Sequence, residues 1–259
     1  MMDILSLSGV IFLFLLLSIF LQRDNLELRG ISKATSKTSP YFFGIFSIFW
    51  LGFLLFFILK SSFAVRDLLL IVNFFLLIFL SSAWFSLKRP LLTRIIIFTF
   101  SFLIFFSALY FDNPLIDIVF IFLAVLWIGP FLKNIGLITR KRFIIISSLM
   151  FCYDIAYVWL TPLEHEMSKV ITNTSFTLGI NVGMYFLGTA DLLFANVLVS
   201  VVNGVKNKII AATALVVSNM IFLYLAQAFD FFLVFPLLVL WVPVGLMLLF
   251  VFRGKATTD

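Results

Sequence analysis

The sequence has very few of the side chains on which most enzyme sites and disulfide scaffolds depend. Of its 259 residues one is Cys (Cys152) and one is His (His165), and only 12% are charged. One Cys excludes a disulfide framework and a Cys-based zinc site, and one His excludes a histidine cluster. So few charges cannot cover the surface of a soluble enzyme of this size, and that class is therefore excluded as well.

What the chain has instead is apolar bulk. Hydrophobic residues make up 63% of it, against about 45–50% in an ordinary soluble domain. The 36 Phe residues are interpreted as lipid-facing bulk. The isoelectric point of about 9.6 would suit a nucleic-acid-binding protein, but the basic residues lie in short gaps between apolar runs. We therefore expect no nucleic-acid partner, and with so few ligating side chains no metal or other cofactor.

Uncharged runs long enough to cross a bilayer recur along the whole chain. A membrane-spanning helix needs about 20 mostly apolar residues, and nine runs are close to or above that length. The predicted fold class is therefore all-α, a polytopic membrane protein with nine transmembrane helices in a single membrane domain over 1–259. The nine predicted helices are approximately 4–21, 41–59, 68–87, 95–111, 115–132, 143–160, 176–203, 209–229 and 231–252.

The basic residues are distributed unevenly between the two sides of this predicted bundle. Fifteen of the 18 lie in the odd-numbered connections and the C-terminal tail. The other three, Lys60, Arg66 and Lys169, lie on the opposite side. Because cytoplasmic connections carry an excess of Lys and Arg, the N-terminus is predicted to be lumenal or outside and the C-terminus cytoplasmic.

Two of the twelve acidic residues lie deep inside predicted helices. Asp154 follows Arg142, at the cytoplasmic start of the sixth helix, by 12 residues, and Asp191 precedes Asn203, near the cytoplasmic end of the seventh, by 12 residues. Both depths are about 18 Å at 1.5 Å per residue. No Lys, Arg or His lies at that depth, so the sequence offers neither acid a salt-bridge partner. An ionisable group inside the bilayer is a functional hypothesis by default.

Equal depth on consecutive antiparallel helices predicts that the two carboxyls meet in the bundle interior. Two carboxyls that share one proton supply a base and an acid from the same residue type, which is the chemistry of aspartic proteases. The ionised group activates a water, and the protonated group polarises a peptide carbonyl. Two alternatives remain open at this point. Each acid separately caps or hydrogen-bonds a neighbouring helix, or the pair carries protons or cations in a secondary transporter.

Three short motifs on the sixth, seventh and ninth predicted helices resemble those of one family. The sixth contains Tyr153-Asp154 and ends at Thr161-Pro162, the seventh contains Gly188-Thr189-Ala190-Asp191, and the ninth opens with Pro236-Leu237-Leu238. Their order and placement resemble the presenilin and signal peptide peptidase superfamily of intramembrane aspartyl proteases, with its Tyr-Asp, Gly-x-Gly-Asp and Pro-Ala-Leu motifs. The resemblance covers roughly 112–252.

The resemblance implies an intramembrane aspartyl endopeptidase that cleaves single transmembrane segments. A lumenal N-terminus indicates the signal peptide peptidase branch, because presenilins have the inverted orientation. The implied substrates are leftover signal peptides and type II membrane anchors, and in a eukaryote the implied location is the endoplasmic reticulum membrane. Homo-oligomerisation is left open. The site residues that the resemblance implies are Asp154 and Asp191 as the catalytic pair, Tyr153, Gly188, Thr189 and Ala190 as their support, and Pro236, Leu237 and Leu238 as substrate contacts.

Three residues depart from the family's motifs. Ala190 replaces the second Gly of Gly-x-Gly-Asp, Leu237 replaces the Ala of Pro-Ala-Leu, and Ala195 stands where many relatives carry Pro. A methyl beside Asp191 is expected to hold the two acid-bearing helices further apart, because Gly lets helix backbones approach closely. A catalytically inactive homologue that acts as a membrane scaffold is therefore a further alternative.

Overall fold

The structure, a computed structural model, describes residues 2–20, 49, 63–87, 89–111, 113–160, 179–182, 185–228 and 237–252. Nearly all of them are helical, and five helices among them are long and apolar enough to cross a membrane. The predicted largely helical membrane protein is thus confirmed for this part of the chain, whereas the count of nine spans and the orientation stay predictions. The five spans are Asp3–Phe20, Asp67–Ser86, Leu91–Tyr110, Pro114–Asn134 and Val205–Leu225.

The described elements are helices except for one short β-hairpin. The predicted span 41–59 lies outside the described residues apart from Phe49. In chain order the elements are α1 (Met2–Phe20), α2 (Phe63–Ser86), α3 (Leu91–Tyr110), α4 (Pro114–Val125), α5 (Ile128–Asn134), α6 (Arg140–Leu160), β1 (Gly179–Val182), β2 (Tyr185–Gly188), α7 (Thr189–Val201), α8 (Val205–Ala228) and α9 (Leu237–Val251).

The predicted fifth span is a broken helix. It begins at a local cap, where the Asn113 side chain accepts a hydrogen bond from the Leu115 amide at 2.9 Å and Pro114 takes the first helical position. It is interrupted at residues 126–127 and resumes as α5. Pro130 has no amide hydrogen to donate to the Leu126 carbonyl, and a proline inside a helix also crowds the preceding turn. The break therefore follows from the local sequence.

The residues predicted as one helix over 176–203 contain a different structure. The described part of this range forms the antiparallel β1–β2 hairpin first, and a helix begins only at Thr189. The prediction is wrong for 179–182 and 185–188, which contain β-branched and aromatic residues that favour extended backbone and a glycine at the outer end of each strand. The paired side chains of Ile180 and Leu187 are each 1% exposed, so the hairpin is anchored in the apolar interior.

Helix α7 lies at the centre of the described helices. It contacts α1, α4, α5, α6, α8 and α9 as well as β2. Its residues Leu192 and Phe194–Ser200 are all buried, as expected for an apolar helix that is surrounded by others. Other contacts place α1 against α8, α2 against α3, α4 against α2 and α3, and α9 against α6 and α8.

Aromatic rings fill part of the interior. The rings of Phe14 and Phe122 lie 4.9 Å apart between α1 and α4, and those of Phe74 and Phe120 lie 5.0 Å apart between α2 and α4. All four side chains are buried. The interpretation of phenylalanine as lipid-facing bulk is therefore wrong for these residues, which supply apolar area and ring contacts inside the bundle.

Candidate active site

Asp154 lies on α6, in an unbroken helix that also carries Tyr153. The side chains of both residues lie outside the described part. The start of α6 is fixed by Arg142, which is buried and whose guanidinium Nη1 donates to the carbonyls of Gly136 and Leu137 at 3.1 and 3.0 Å. These bonds tie α6 to the turn that follows α5, where Gly136 has a φ of 70°.

Asp191 lies in the first turn of α7, immediately after the β-hairpin. Gly188 is both the last residue of β2 and the N-cap of the helix, and Asp191 is the third residue after it. An acidic side chain at this position folds back toward the N-cap and is favoured by the positive end of the helix dipole. The carboxyl therefore sits where extended backbone becomes helix.

The Asp191 carboxyl occupies the space beside Gly188 where a side chain would begin. A Cβ at Gly188 would lie 3.0 Å from Oδ2 of Asp191 and 3.9 Å from its Cγ. The backbone of Gly188 has φ −66° and ψ 147°, which any residue can adopt, so a side chain at this position would meet the Asp191 carboxyl and no backbone strain. The missing side chain at Gly188 thus leaves room for the Asp191 carboxyl, and a supporting role for Gly188 stays a prediction.

The neighbouring residues of the motif differ in exposure. Thr189 is half-buried at the first position of α7. Ala190 is exposed, so its methyl is not packed into a helix interface of the described part. Among the described residues, no helix contact of the Ala190 methyl supports the expectation that it holds two helices apart.

One ring contact relates the two acid-bearing helices. Phe143 of α6 and Phe194 of α7 have ring centroids 5.4 Å apart. Asp154 is 11 residues beyond Phe143, or about 17 Å along α6, and Asp191 is three residues before Phe194, or about 5 Å along α7. In an antiparallel pair the two acids would then be offset by about 12 Å along the helix axes. This contact does not by itself bring them to the equal depth that the sequence predicts.

The ninth predicted helix lies beside both of the others. Its described part, α9, contacts α6 and α7, and at Gly245 a Cβ would lie 3.1 Å from Cδ2 of Leu198 and 3.6 Å from Cζ of Phe194. Leu237 and Leu238 form the first turn of α9, with side chains outside the described part, and Pro236 lies wholly outside it. The structure thus brings α6, α7 and α9 into mutual contact, and substrate contact by Pro236, Leu237 and Leu238 stays a prediction.

A polar cluster that the motifs do not indicate lies farther along α7. The side chain of Asn196 is bonded to Ser18 of α1 and to the backbone of α4, and all three sites are in the interior. The signal in the sequence is an amide side chain five residues after Asp191 within an apolar run. In the residues that the structure describes, no group of three or more His, Cys, Asp or Glu side chains is placed to hold a metal ion.

Neither a known protein family nor a curated protein matches this chain. The resemblance to intramembrane aspartyl proteases accordingly depends on the three sequence motifs alone.

Proposed function

We propose that the chain is an intramembrane aspartyl endopeptidase of the signal peptide peptidase type. The observation that supports this most is the mutual packing of α6, α7 and α9, which carry the three motifs on separate parts of the sequence. Asp191 also lies at the N-terminus of a buried central helix, directly after an extended strand. A proteolytic acid in a membrane needs both a protected position and access to substrate backbone.

The hairpin beside Asp191 suits a substrate that enters as a helix. In hydrocarbon every backbone group of an intact helix is bonded within the helix, so the substrate must unwind before a water can attack a carbonyl. In the described residues β2 pairs with β1 alone, which leaves the outer edge of β2 without a strand partner. An unwound segment that paired with this edge would regain hydrogen bonds and pass next to Gly188 and Asp191.

The proposed chemistry uses one ionised and one protonated carboxyl. The ionised carboxyl takes a proton from a water whose oxygen attacks the scissile carbonyl carbon, while the protonated carboxyl donates to the carbonyl oxygen. The tetrahedral intermediate then collapses and the C–N bond breaks. The leaving nitrogen accepts the proton that the first carboxyl took from the water, and the second carboxyl regains a proton from a hydroxyl of the intermediate. The products end in a carboxyl and an amine. The shared proton requires Asp154 and Asp191 to approach to about 3 Å, closer than the Phe143–Phe194 contact alone would place them.

The proposed substrates are transmembrane segments with a cytosolic N-terminus, such as leftover signal peptides and type II anchors. This choice depends on the orientation indicated by the basic residues. In a eukaryotic cell the proposed location is the endoplasmic reticulum membrane.

The test is cleavage of a synthetic type II transmembrane peptide by the purified protein in liposomes. We expect the parent protein to cleave it with a bell-shaped dependence on pH, because activity needs one protonated and one ionised carboxyl. Asp154→Asn and Asp191→Asn should each abolish cleavage. Asp3→Asn, which changes an acid at the start of α1, is the matched control and should leave cleavage intact.

The alternatives give different results in the same liposomes. Proton or cation flux that requires both aspartates, without cleavage, would identify a transporter. Neither flux nor cleavage would identify an inactive scaffold. Near parental turnover in either Asp→Asn variant would contradict the assignment of the pair.

A further inference from the structure

Asn196 joins three helices through two buried hydrogen bonds. Ser18 Oγ of α1 donates to Asn196 Oδ1 at 2.7 Å, and Asn196 Nδ2 donates to the carbonyl oxygen of Val125 at 2.6 Å. The side chains of Ser18 and Asn196 are fully buried. Both ends of the amide are therefore satisfied, each by a different helix, and a small displacement of α7 would break one bond or both.

The accepting carbonyl lies at the end of α4, where the helix is broken. Val125 is the last residue of α4, and the chain turns at residues 126–127 before α5 begins. The last carbonyls of a helix have no partner within it and need one from elsewhere. Asn196 supplies that partner, so the amide on α7 satisfies a backbone group exposed by the break between α4 and α5.

Gly129 of α5 packs against Asn196 and Ser200 of α7. A Cβ at Gly129 would lie 2.6 Å from Ser200 Oγ and 2.7 Å from the Asn196 backbone oxygen. Ser200 Oγ in turn donates to that oxygen at 2.8 Å. The backbone of α5 therefore lies directly on α7, and α7 is held against both sliding and rotation at this level.

Asp191 lies on the helix that these contacts hold. It is five residues before Asn196 on the same helix, about 7.5 Å along the axis and about 140° around it, so the two side chains do not point the same way. A rotation of α7 by about 20° would move a carboxyl about 5 Å from the axis by about 2 Å. Misplacement by about 1 Å can cost about 100-fold in rate.

We propose that Asn196 is a positioning residue for Asp191, acting through the register and rotation of α7. This rests on the proposed proteolytic function. Replacing every partner of a buried polar network by apolar groups can be nearly neutral for stability, so the network is better explained by the single arrangement that it specifies. Ser18 and the Val125 carbonyl are then parts of the active-site framework although neither is close to Asp191 in sequence.

The chain offers a matched control for this proposal. Asn219 on α8 is also buried, and among the described residues its Nδ2 has no hydrogen-bond partner. Asn196→Leu and Asn219→Leu make the same chemical change at two buried positions on different helices. We expect Asn196→Leu to lower kcat for the type II peptide about 100-fold with KM nearly unchanged, and Asn219→Leu to leave both close to parental. Ser18→Ala, which removes one bond only, should show a smaller loss of kcat.

A second readout does not depend on cleavage. Spin labels on Lys141→Cys and Ala190→Cys, both exposed positions, report the distance between α6 and the start of α7 in a Cys152→Ser background. Asn196→Leu should shift or broaden this distance distribution by about 2 Å, and Asn219→Leu should leave it unchanged.

The outcomes separate the two proposals. A parental protein that cleaves, with Asn196→Leu and Asn219→Leu equal in kcat and in label distance, would overturn the positioning role and leave the protease intact. A label distance that shifts only in Asn196→Leu, in a protein that never cleaves, would support the control of α7 by Asn196 and overturn its catalytic purpose together with the proposed function.

Discussion

The carboxyl of Asp191 lies 3.0 Å from the point that a Cβ would occupy at Gly188. This separation is tight for a carbon–oxygen contact, and the backbone of Gly188 is one that alanine adopts readily. The pair therefore offers a way to move a proposed catalytic group without disturbing the fold.

Gly188→Ala should displace the Asp191 carboxyl and lower cleavage, with little change in thermal stability. The carboxyl needs to move by only a few tenths of an ångström, so we expect a loss of kcat smaller than the roughly 100-fold that a misplacement of about 1 Å can cause. Turnover of the type II peptide and the melting temperature in detergent measure the two effects. Gly9→Ala is the matched control, because nothing lies within 4 Å of a Cβ there. Equal activity in the two variants would show that the contact at Gly188 has no catalytic role.

Ala190→Gly should leave cleavage unchanged or raise it. The Ala190 methyl is exposed, so its removal creates no cavity, and it restores the glycine of the resembled motif. Glycine lowers helix stability by up to about 1 kcal/mol, which expression level and melting temperature would reveal. A clear fall in turnover would mean that the site was built around the methyl, and the motif's geometry could not then be transferred to α6 and α7.

Gly129→Ala should destabilise the protein strongly. Its methyl would lie 2.7 Å from the Asn196 backbone oxygen, and backbone cannot move aside as a flexible side chain does. Overpacking of this kind costs about 1–3 kcal/mol. The measurement is the shift in melting temperature relative to Gly9→Ala, which should be neutral or slightly stabilising. A Gly129→Ala protein as stable as the parent would contradict the close approach of α5 to α7.

The orientation predicts where the termini can be reached. A tag at the N-terminus should be protected from a protease added to the cytosolic side, and a tag at the C-terminus should be removed by it, because 15 of the 18 basic residues lie on one predicted side. Protection of the opposite ends would indicate the presenilin-like orientation and reverse the expected substrates.

Helix positions are largely predictable from the sequence. A long uncharged run in a membrane forms a helix because its backbone N–H and C=O groups find no water there and must hydrogen-bond to one another. The spans Asp3–Phe20 and Val205–Leu225 illustrate this, since each corresponds to one predicted run. Hydropathy could not distinguish the β1–β2 hairpin from a helix, because both are apolar. The glycines and β-branched residues of 179–188 were the available signal.

Individual residues of the proposed site were predictable from the sequence, whereas the contacts that bring them together were less so. Asp191 stood out because acids are rare in hydrocarbon. Asn196 did not, because its importance depends on Ser18 and Val125, which are 178 and 71 residues away in sequence and are brought to it only by packing. The offset implied by the contact between Phe143 and Phe194 likewise depends on helix tilt and register, which residue counts along single helices do not define.

The central claim is that Asp154 and Asp191 form one site, and the most direct measurement is disulfide formation between cysteines at these two positions. The protein would carry Cys152→Ser and would be oxidised with and without a bound type II peptide, while a cysteine pair at the strand partners Asn181 and Phe186 serves as the positive control. The account predicts a disulfide between positions 154 and 191, since a disulfide needs Cβ atoms about 3.5–4.5 Å apart. A control pair that forms its disulfide while positions 154 and 191 form none under either condition would contradict it.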